Sequence, residues 1–279
     1  MSSIKSVSFL VLFTFNTFLS FNSSAQDQST ENKIFSTNSS SVSLNPEKTQ
    51  TKETNQTPWS FVHAYQAKYA VQSEDETLGH ATRKLSQRDN QWVLSTYAKL
   101  NKYFITLKSD EQTEFHIKNN KLITDRFYSK TKMTFKKARK MEQNFDWDKG
   151  LELGSRGKKK WQLPLEKQVF DRVSHTMQLR ADLIEDKKTF VYNVSYKGKL
   201  HQYEYVLERT QDISTKMGNL SAVKMVRNKS DDEIFTLWLC PELNYLPIKI
   251  AQYEKDKPDV TLLLESLDFH KKEKSETNK

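Results

Sequence analysis

Cysteine is all but missing from these 279 residues: Cys240 stands alone. A lone thiol excludes an intramolecular disulfide and any metal cage built from several cysteines, so stability has to come from an apolar core. Cys240 ends the strand-like run Ile234-Phe-Thr-Leu-Trp-Leu-Cys240 and reads as a small buried hydrophobe, with no neighbour to activate it as a nucleophile. Glycine and proline are scarce as well, six of each. Low glycine does not suit a propeller or a β-helix, and no repeat of fixed period is visible. A Gly-x-Ser-x-Gly elbow and a phosphate-cradling P-loop are both missing. The six histidines, His63, His80, His116, His175, His201 and His270, form neither HxH nor HExxH, so no metal site is predicted, although His63, His80 and His116 fall on neighbouring predicted strands. No motif calls for a cofactor or supplies a catalytic residue. Beyond the N-terminus no stretch approaches the about 20 apolar residues that a membrane-spanning helix needs.

What is present begins with an export signal. Lys5 supplies a positive start, Val7 to Phe21 is an apolar run broken by Thr14, Asn16 and Thr17, and Ser23-Ser24-Ala25 places small residues at a cleavage site. Residues 1–25 read as a signal peptide cleaved after Ala25, and no cysteine follows it directly to carry a lipid. The expected location is the periplasm, with no transmembrane segment in the mature chain. Cleavage removes Lys5 and takes the formal net charge from +9 to +8. A basic balance favours anionic partners, and an exported protein meets anionic lipid or glycan rather than nucleic acid. Over 26–57 Ser, Thr, Asn, Gln and Glu dominate, a composition that cannot bury enough surface to order itself, so a disordered polar linker is expected. A single β-rich domain is expected over 58–269 and a charged tail over 270–279.

Within 58–269 the apolar residues mostly alternate. Phe61, Tyr65, Ala67, Tyr69 and Val71 share one face at period two. Asp89-Asn90 separates two strand-like runs, Asn119-Asn120 is a tight-turn pair before Leu122 to Tyr128, and Lys197-Gly198 joins Asn193 to Tyr196 with Leu200 to Leu207. Further strands are predicted over 103–108, 113–118 and 132–139, and over 222–226, 234–239, 248–253 and 260–267. One segment breaks the pattern. Phe170, Val173, Met177, Ala181 and Ile184 are spaced three or four apart, which predicts a helical segment between Leu165 and Glu185 with an apolar stripe packed on the sheet. Roughly a dozen short strands with one helical segment predict an antiparallel barrel, half-barrel or sandwich.

With these strands laid out, the chain resembles a family of bacterial envelope proteins described as domain of unknown function 3108. Tyr65-Gln-Ala-Lys-Tyr69, leading through Leu78-Gly79 to Trp92-Val-Leu-Ser-Thr96, is similar to the family's first strands. Gln162-Leu-Pro164 and Phe170-Asp171 precede a Leu179-Arg-Ala-Asp-Leu183 helix. Thr236-Leu-Trp-Leu239, Leu246-Pro-Ile-Lys-Ile250 and Leu262 to Leu267 look like its closing strands. The likeness covers most of 65–269 and implies an exported β-rich domain. It brings no catalytic residues with it.

Two groups of residues carry candidate chemistry. Asp146-Trp-Asp148 sets two carboxylates beside an aromatic ring, as glycoside hydrolases do, but the following Lys149-Gly150 also marks a turn. The basic stretches Lys136, Lys137, Arg139, Lys140 and Arg156, Lys158, Lys159, Lys160 would suit a phosphate- or carboxylate-bearing surface. The second ends at Trp161, so Arg156, Lys158, Lys159, Lys160 and Trp161 form the candidate binding site, with anionic lipid or glycan as the expected partner. The leading expectation is a non-enzymatic periplasmic β-domain that binds a lipid or glycan or contacts cell-envelope components. The alternatives are an envelope polysaccharide hydrolase, with Asp146 or Asp148 meeting Glu152 in a cleft, and a structural or assembly factor. Nothing in the sequence sets the oligomeric state.

Overall fold

The computed structural model describes residues 58–74, 76–230 and 232–269. The predicted signal peptide, linker and tail lie outside them. Among the described residues fourteen strands follow one another: β1 (Tyr65–Ser73), β2 (Glu76–Arg88), β3 (Gln91–Lys102), β4 (Ile105–Lys118), β5 (Lys121–Met133), β6 (Arg139–Asp146), β7 (Leu151–Arg156) and β8 (Lys159–Pro164), then β9 (Phe190–Tyr196), β10 (Lys199–Thr215), β11 (Gly218–Ser230), β12 (Glu233–Cys240), β13 (Leu246–Glu254) and β14 (Val260–Phe269). One helix, α1 (His175–Ile184), lies between β8 and β9. The strands form a single antiparallel sheet in the order β8-β7-β6-β5-β4-β3-β2-β1-β14-β13-β12-β11-β10-β9.

The alternation read from the sequence is what drives this sheet to curl. In β4, Leu107, Ser109, Glu111, Thr113 and Phe115 are buried while Lys108 and Asp110 are exposed. Burying one face of so long a twisted sheet requires it to wrap around its own inner side chains. The two ends of the sheet come to face each other. Phe170, in the segment leading to α1, bridges Val194 of β9, and the Gln143 side chain of β6 donates to the Ser195 carbonyl across the seam at 3.3 Å. The free edge of β9 is thus partly covered by the segment leading to α1.

Turns form where the sequence provides residues that tolerate left-handed backbone. Asn119 and Asn120 have φ of 51° and 60°, the geometry of the hairpin turn that matches strand twist. Gly79 is held by close approach: a Cβ there would lie 2.1 Å from the Lys99 carbonyl oxygen of β3.

Four expectations need correction. The predicted strand over 132–139 is broken by a turn at 134–136, because Lys136 donates its N–H to the Met133 carbonyl at 3.0 Å and Phe135 takes a positive φ of 62°. Residues 105–108 and 113–118 belong to one continuous strand, β4, and 103–104 form the turn before it. The helix starts at His175 rather than near Leu165. Phe170 is held in extended backbone by its bridge to β9, and the Asp171 carboxylate accepts the N–H groups of Val173 (2.6 Å) and Ser174 (2.9 Å), which starts the helical turns only there. Nor does α1 lie on the sheet by a single stripe. His175, Thr176, Met177, Leu179, Arg180, Ala181, Asp182 and Leu183 are all buried, so the helix fills the interior and its polar side chains must find partners there.

Candidate functional site

The polar groups of α1 meet polar groups that the strand alternation points inward. Arg83 of β2 follows Ala81 and precedes Leu85 on the inner face; its Nη2 donates to Thr176 Oγ1 at 2.8 Å. Glu111 of β4 pairs with Arg172, whose guanidinium also lies over the rings of Phe127 and Tyr196. Arg227 of β11 is stacked 3.8 Å from the Tyr203 ring centroid, with Phe235 at 5.1 Å and Tyr205 at 5.7 Å. These three arginines, Glu111 and His175 line a mostly enclosed cavity with about 40 Å³ of free space, room for two or three waters at about 15 Å³ each. The rest of the wall is largely apolar, including Val173, Leu237, Ile250 and Leu262.

The charge balance of this cavity is one-sided. Glu111 is committed to Arg172, and among the described residues no carboxylate pairs with Arg83 or Arg227. Their Nε atoms are buried without a hydrogen-bond partner, in side chains belonging to residues only 8% and 4% exposed. His175 adds no charge near neutrality. Burial, followed by the repulsion of Arg227 and then of Arg83 and Arg172, lowers its pKa to about 3. Its ring is fixed from both sides: Nδ1 lies 3.3 Å from the Asp171 carbonyl and Nε2 2.9 Å from the Tyr205 hydroxyl. A carbonyl can only accept, so Nδ1 carries the proton and Nε2 accepts from Tyr205.

A second polar cluster holds the far end of α1. Asp182 accepts from Tyr192 (2.8 Å), Gln178 (2.8 Å) and Lys187 (2.7 Å). The Arg180 Nε donates to the Asn244 carbonyl at 3.0 Å, and burial brings its pKa down to about 10. Here each buried charge has a hydrogen-bond or ionic partner, whereas the Nε atoms of Arg83 and Arg227 in the cavity have none among the described residues.

The sequence profile described as "Protein of unknown function (DUF3108)" matches residues 64–265. The chain belongs to this family. No curated protein matches the DUF3108 chain in sequence. Among solved structures it is similar to a β-barrel-like protein of domain of unknown function DUF1849 from Brucella abortus, at 12% identity over 75% of this chain and 98% of that one, with a TM-score of 0.51. A candidate lipoprotein from Parabacteroides distasonis aligns at 9% identity over 74% of this chain and 95% of the other, with a TM-score of 0.30. The Brucella likeness supports a barrel-like architecture for the DUF3108 chain, and fold alone does not carry function.

The residues singled out in the sequence are distributed unevenly. Arg156, Lys158, Lys159 and Lys160 sit on the β7–β8 hairpin, where Arg156 pairs with Lys159 across the strands and Lys158 lies in the turn. Lys160 and Trp161 are consecutive, so they point to opposite faces. Trp161 turns inward: its Nε1 donates to Glu152 Oε1 at 2.7 Å, and its ring lies on Gly154, where any Cβ would overlap it. Asp146 is held in the β6–β7 turn by Lys149, whose bonds keep its carboxyl below the usual range. Glu152 pairs with Phe145 in the next register position, so it faces inward, away from Asp146, and accepts from Gln143 at 2.9 Å. The carboxylates of the hydrolase reading are not brought together. His80 and His116 each sit against their own carboxylate, Glu265 at 3.1 Å and Asp125 at 3.0 Å, and among the described residues no three His, Cys, Asp or Glu side chains form a metal-binding group.

Sequence reasoning misses the inner arginines: it reads 165–185, which holds Arg172, as an apolar stripe alone and gives Arg83 and Arg227 no role. A signal did exist. Arg83 is in phase with Ala81 and Leu85, and Arg227 is in phase with Met225, so both occupy core positions of otherwise apolar strand faces.

Proposed function

We propose that this DUF3108 protein is a non-enzymatic binding protein of the cell envelope that takes the acidic head of an anionic lipid or glycan into its barrel, between Arg83 and Arg227. One observation carries the reading. Arg227 is buried among three aromatic rings, and among the described residues no carboxylate neutralises it. Three guanidiniums and one carboxylate along the cavity wall leave an excess of two positive charges. Uncompensated buried charge is costly, and a carboxylate or phosphate seated there would supply the missing partner and the bidentate acceptors that guanidinium geometry favours. The apolar remainder of the wall favours an amphiphile over a free sugar. The free space, enough for about two or three waters, suits a single carboxylate or phosphate group and not an acyl chain, so the rest of an amphiphile would lie outside the cavity.

Envelope placement belongs to the same proposal and rests on residues 1–25, which predict a mature protein starting at Gln26. The test is native mass spectrometry of the protein purified from the envelope fraction. The expected result is a discrete adduct that tandem fragmentation identifies as an acidic lipid or glycan. A bare polypeptide mass, or adducts of neutral lipid only, would count against the reading.

A further inference from the structure

The outside of the barrel has an apolar feature as unusual as its charged interior. Tyr103 and Phe104, in the β3–β4 turn, are 85% and 78% exposed, and Phe135, in the β5–β6 turn, is 90% exposed. Single exposed aromatics need no explanation; three at one place do. The two turns are tied together, since Thr106 and Thr134 exchange hydrogen bonds, with the Thr106 N–H to Thr134 Oγ1 and the Thr134 N–H to the Thr106 carbonyl both at 2.9 Å. Tyr103 and Phe135 also adopt positive φ, 52° and 62°. Bulky aromatic residues seldom adopt that conformation, which suits the Asn119, Asn120 and Gly198 turns; Tyr245 shares it, but as a partly buried side chain packed against the core. Side chains that bury nothing and strain the backbone add nothing to the fold.

Charge surrounds this tip. Lys136 and Lys137 follow Phe135 directly, and Arg139 opens β6. Antiparallel pairing brings the β7–β8 turn to the same end of the barrel, one hairpin along from the β5–β6 turn, which is about 10 Å at two strand spacings. That turn contributes Lys158, Lys159 and Lys160. All six cations are exposed, and none is ion-paired to a carboxylate among the described residues. Both basic stretches of the sequence thus converge on the aromatic tip, with Trp161 turned away from it.

We infer that this end of the barrel docks on an anionic phospholipid surface, with Tyr103, Phe104 and Phe135 entering the interface and the surrounding cations meeting the head groups. Aromatic side chains inserted at the boundary supply apolar contact, and lysines close to an anionic surface supply the electrostatic part. A protein partner would have to present the same acidic, apolar-backed surface; the lipid bilayer combines both without further assumption. The inference goes beyond the cavity reading and uses none of its residues.

The experiment is co-sedimentation of the purified protein with vesicles of phosphatidylcholine alone and of phosphatidylcholine mixed with phosphatidylglycerol, at low and high salt. The wild type is expected to pellet with the mixed vesicles, weakly with neutral ones, and less as salt shortens the screening length. Tyr103→Asn with Phe104→Ser and Phe135→Asn should abolish pelleting while leaving thermal stability unchanged or higher, since Asn tolerates the left-handed turn positions. Lys136→Gln with Lys137→Gln should lower partitioning at least about tenfold at low salt. Failure of the wild type to pellet with mixed vesicles, or undiminished pelleting by the folded triple variant, would overturn the inference. So would equal affinity for neutral and anionic vesicles.

Discussion

His175 makes the polar interior testable through acid stability. In the unfolded chain its imidazole titrates near its ordinary value of 6.5, whereas in the fold the pKa lies at about 3. The folded state therefore binds fewer protons than the unfolded state between these values. Stability is unaffected well above pH 6.5, falls as the pH drops below it, and stops falling near pH 3. At pH 5 the unfolded chain gains about 2 kcal/mol over the folded one from this residue alone, and at pH 7 about 0.2 kcal/mol. Asp171, whose pKa burial raises against the bonds from Thr113, Ser174 and Val173, works in the opposite sense, holding more protons in the fold at low pH. The comparison must therefore be differential. Urea unfolding of the wild type and of His175→Gln at pH 7 and pH 5 should show the wild type losing about 2 kcal/mol more than the variant on acidification. Groups facing His175 from other elements, Arg83, Arg172, Tyr192, Tyr203, Tyr205 and Arg227, stay in both proteins and largely cancel. Parallel losses in the two proteins would mean that His175 is not held neutral between the arginines, and the electrostatic account of the cavity would fail with it.

Other predictions concern packing. Leu246 is 2% exposed and pairs with Cys240 across β12 and β13, so Leu246→Ala should cost about 2–5 kcal/mol in urea unfolding; a loss below about 0.5 kcal/mol would place it at the surface. Trp238 is also buried, beneath the ammonium groups of Lys249 at 4.7 Å and Lys224 at 6.0 Å, and its truncation to Ala should cost about 3–5 kcal/mol. Gly154→Ala should push the Trp161 ring off its seat and break its bond to Glu152, read as a red-shifted tryptophan emission with lowered stability; an unchanged spectrum would refute the seating of Trp161.

How much of this was readable in advance varied by element for physical reasons. Strands with apolar inner faces, such as β1 with Tyr65, Ala67, Tyr69 and Val71, announce themselves by period two. Strands β6 to β8 do not, because Gln143 and Glu152 take inward positions and satisfy each other there, which erases the alternation. The helix was overextended because Phe170 and Val173 are apolar for a different reason: they line the seam and the cavity before the helix begins. Arg83 and Arg227 sit in phase with apolar neighbours, and only the fold reveals that among the described residues no carboxylate meets them. The aromatic tip was least legible. Tyr103 and Phe135 are far apart in sequence, and only the register of β3 to β5 and the Thr106–Thr134 hydrogen bonds bring their turns together.

The central claim is that the interior arginines await an anion, and thermal unfolding with added octanoate, octyl phosphate or octanol tests it most directly. A saturating ligand at a hundredfold its Kd adds about 2.7 kcal/mol, or about 5–10 °C in Tm for a domain of this size. The account predicts such a shift with octanoate or octyl phosphate, the larger of the two identifying the head group, and none with octanol. Arg227→Met, which keeps the stem and removes the unpaired charge, should abolish that shift while leaving the ligand-free Tm equal or higher. A ligand-free Tm that falls sharply in Arg227→Met, or an anion-dependent shift that survives it, would show instead that Arg227 is a stacking residue of the core.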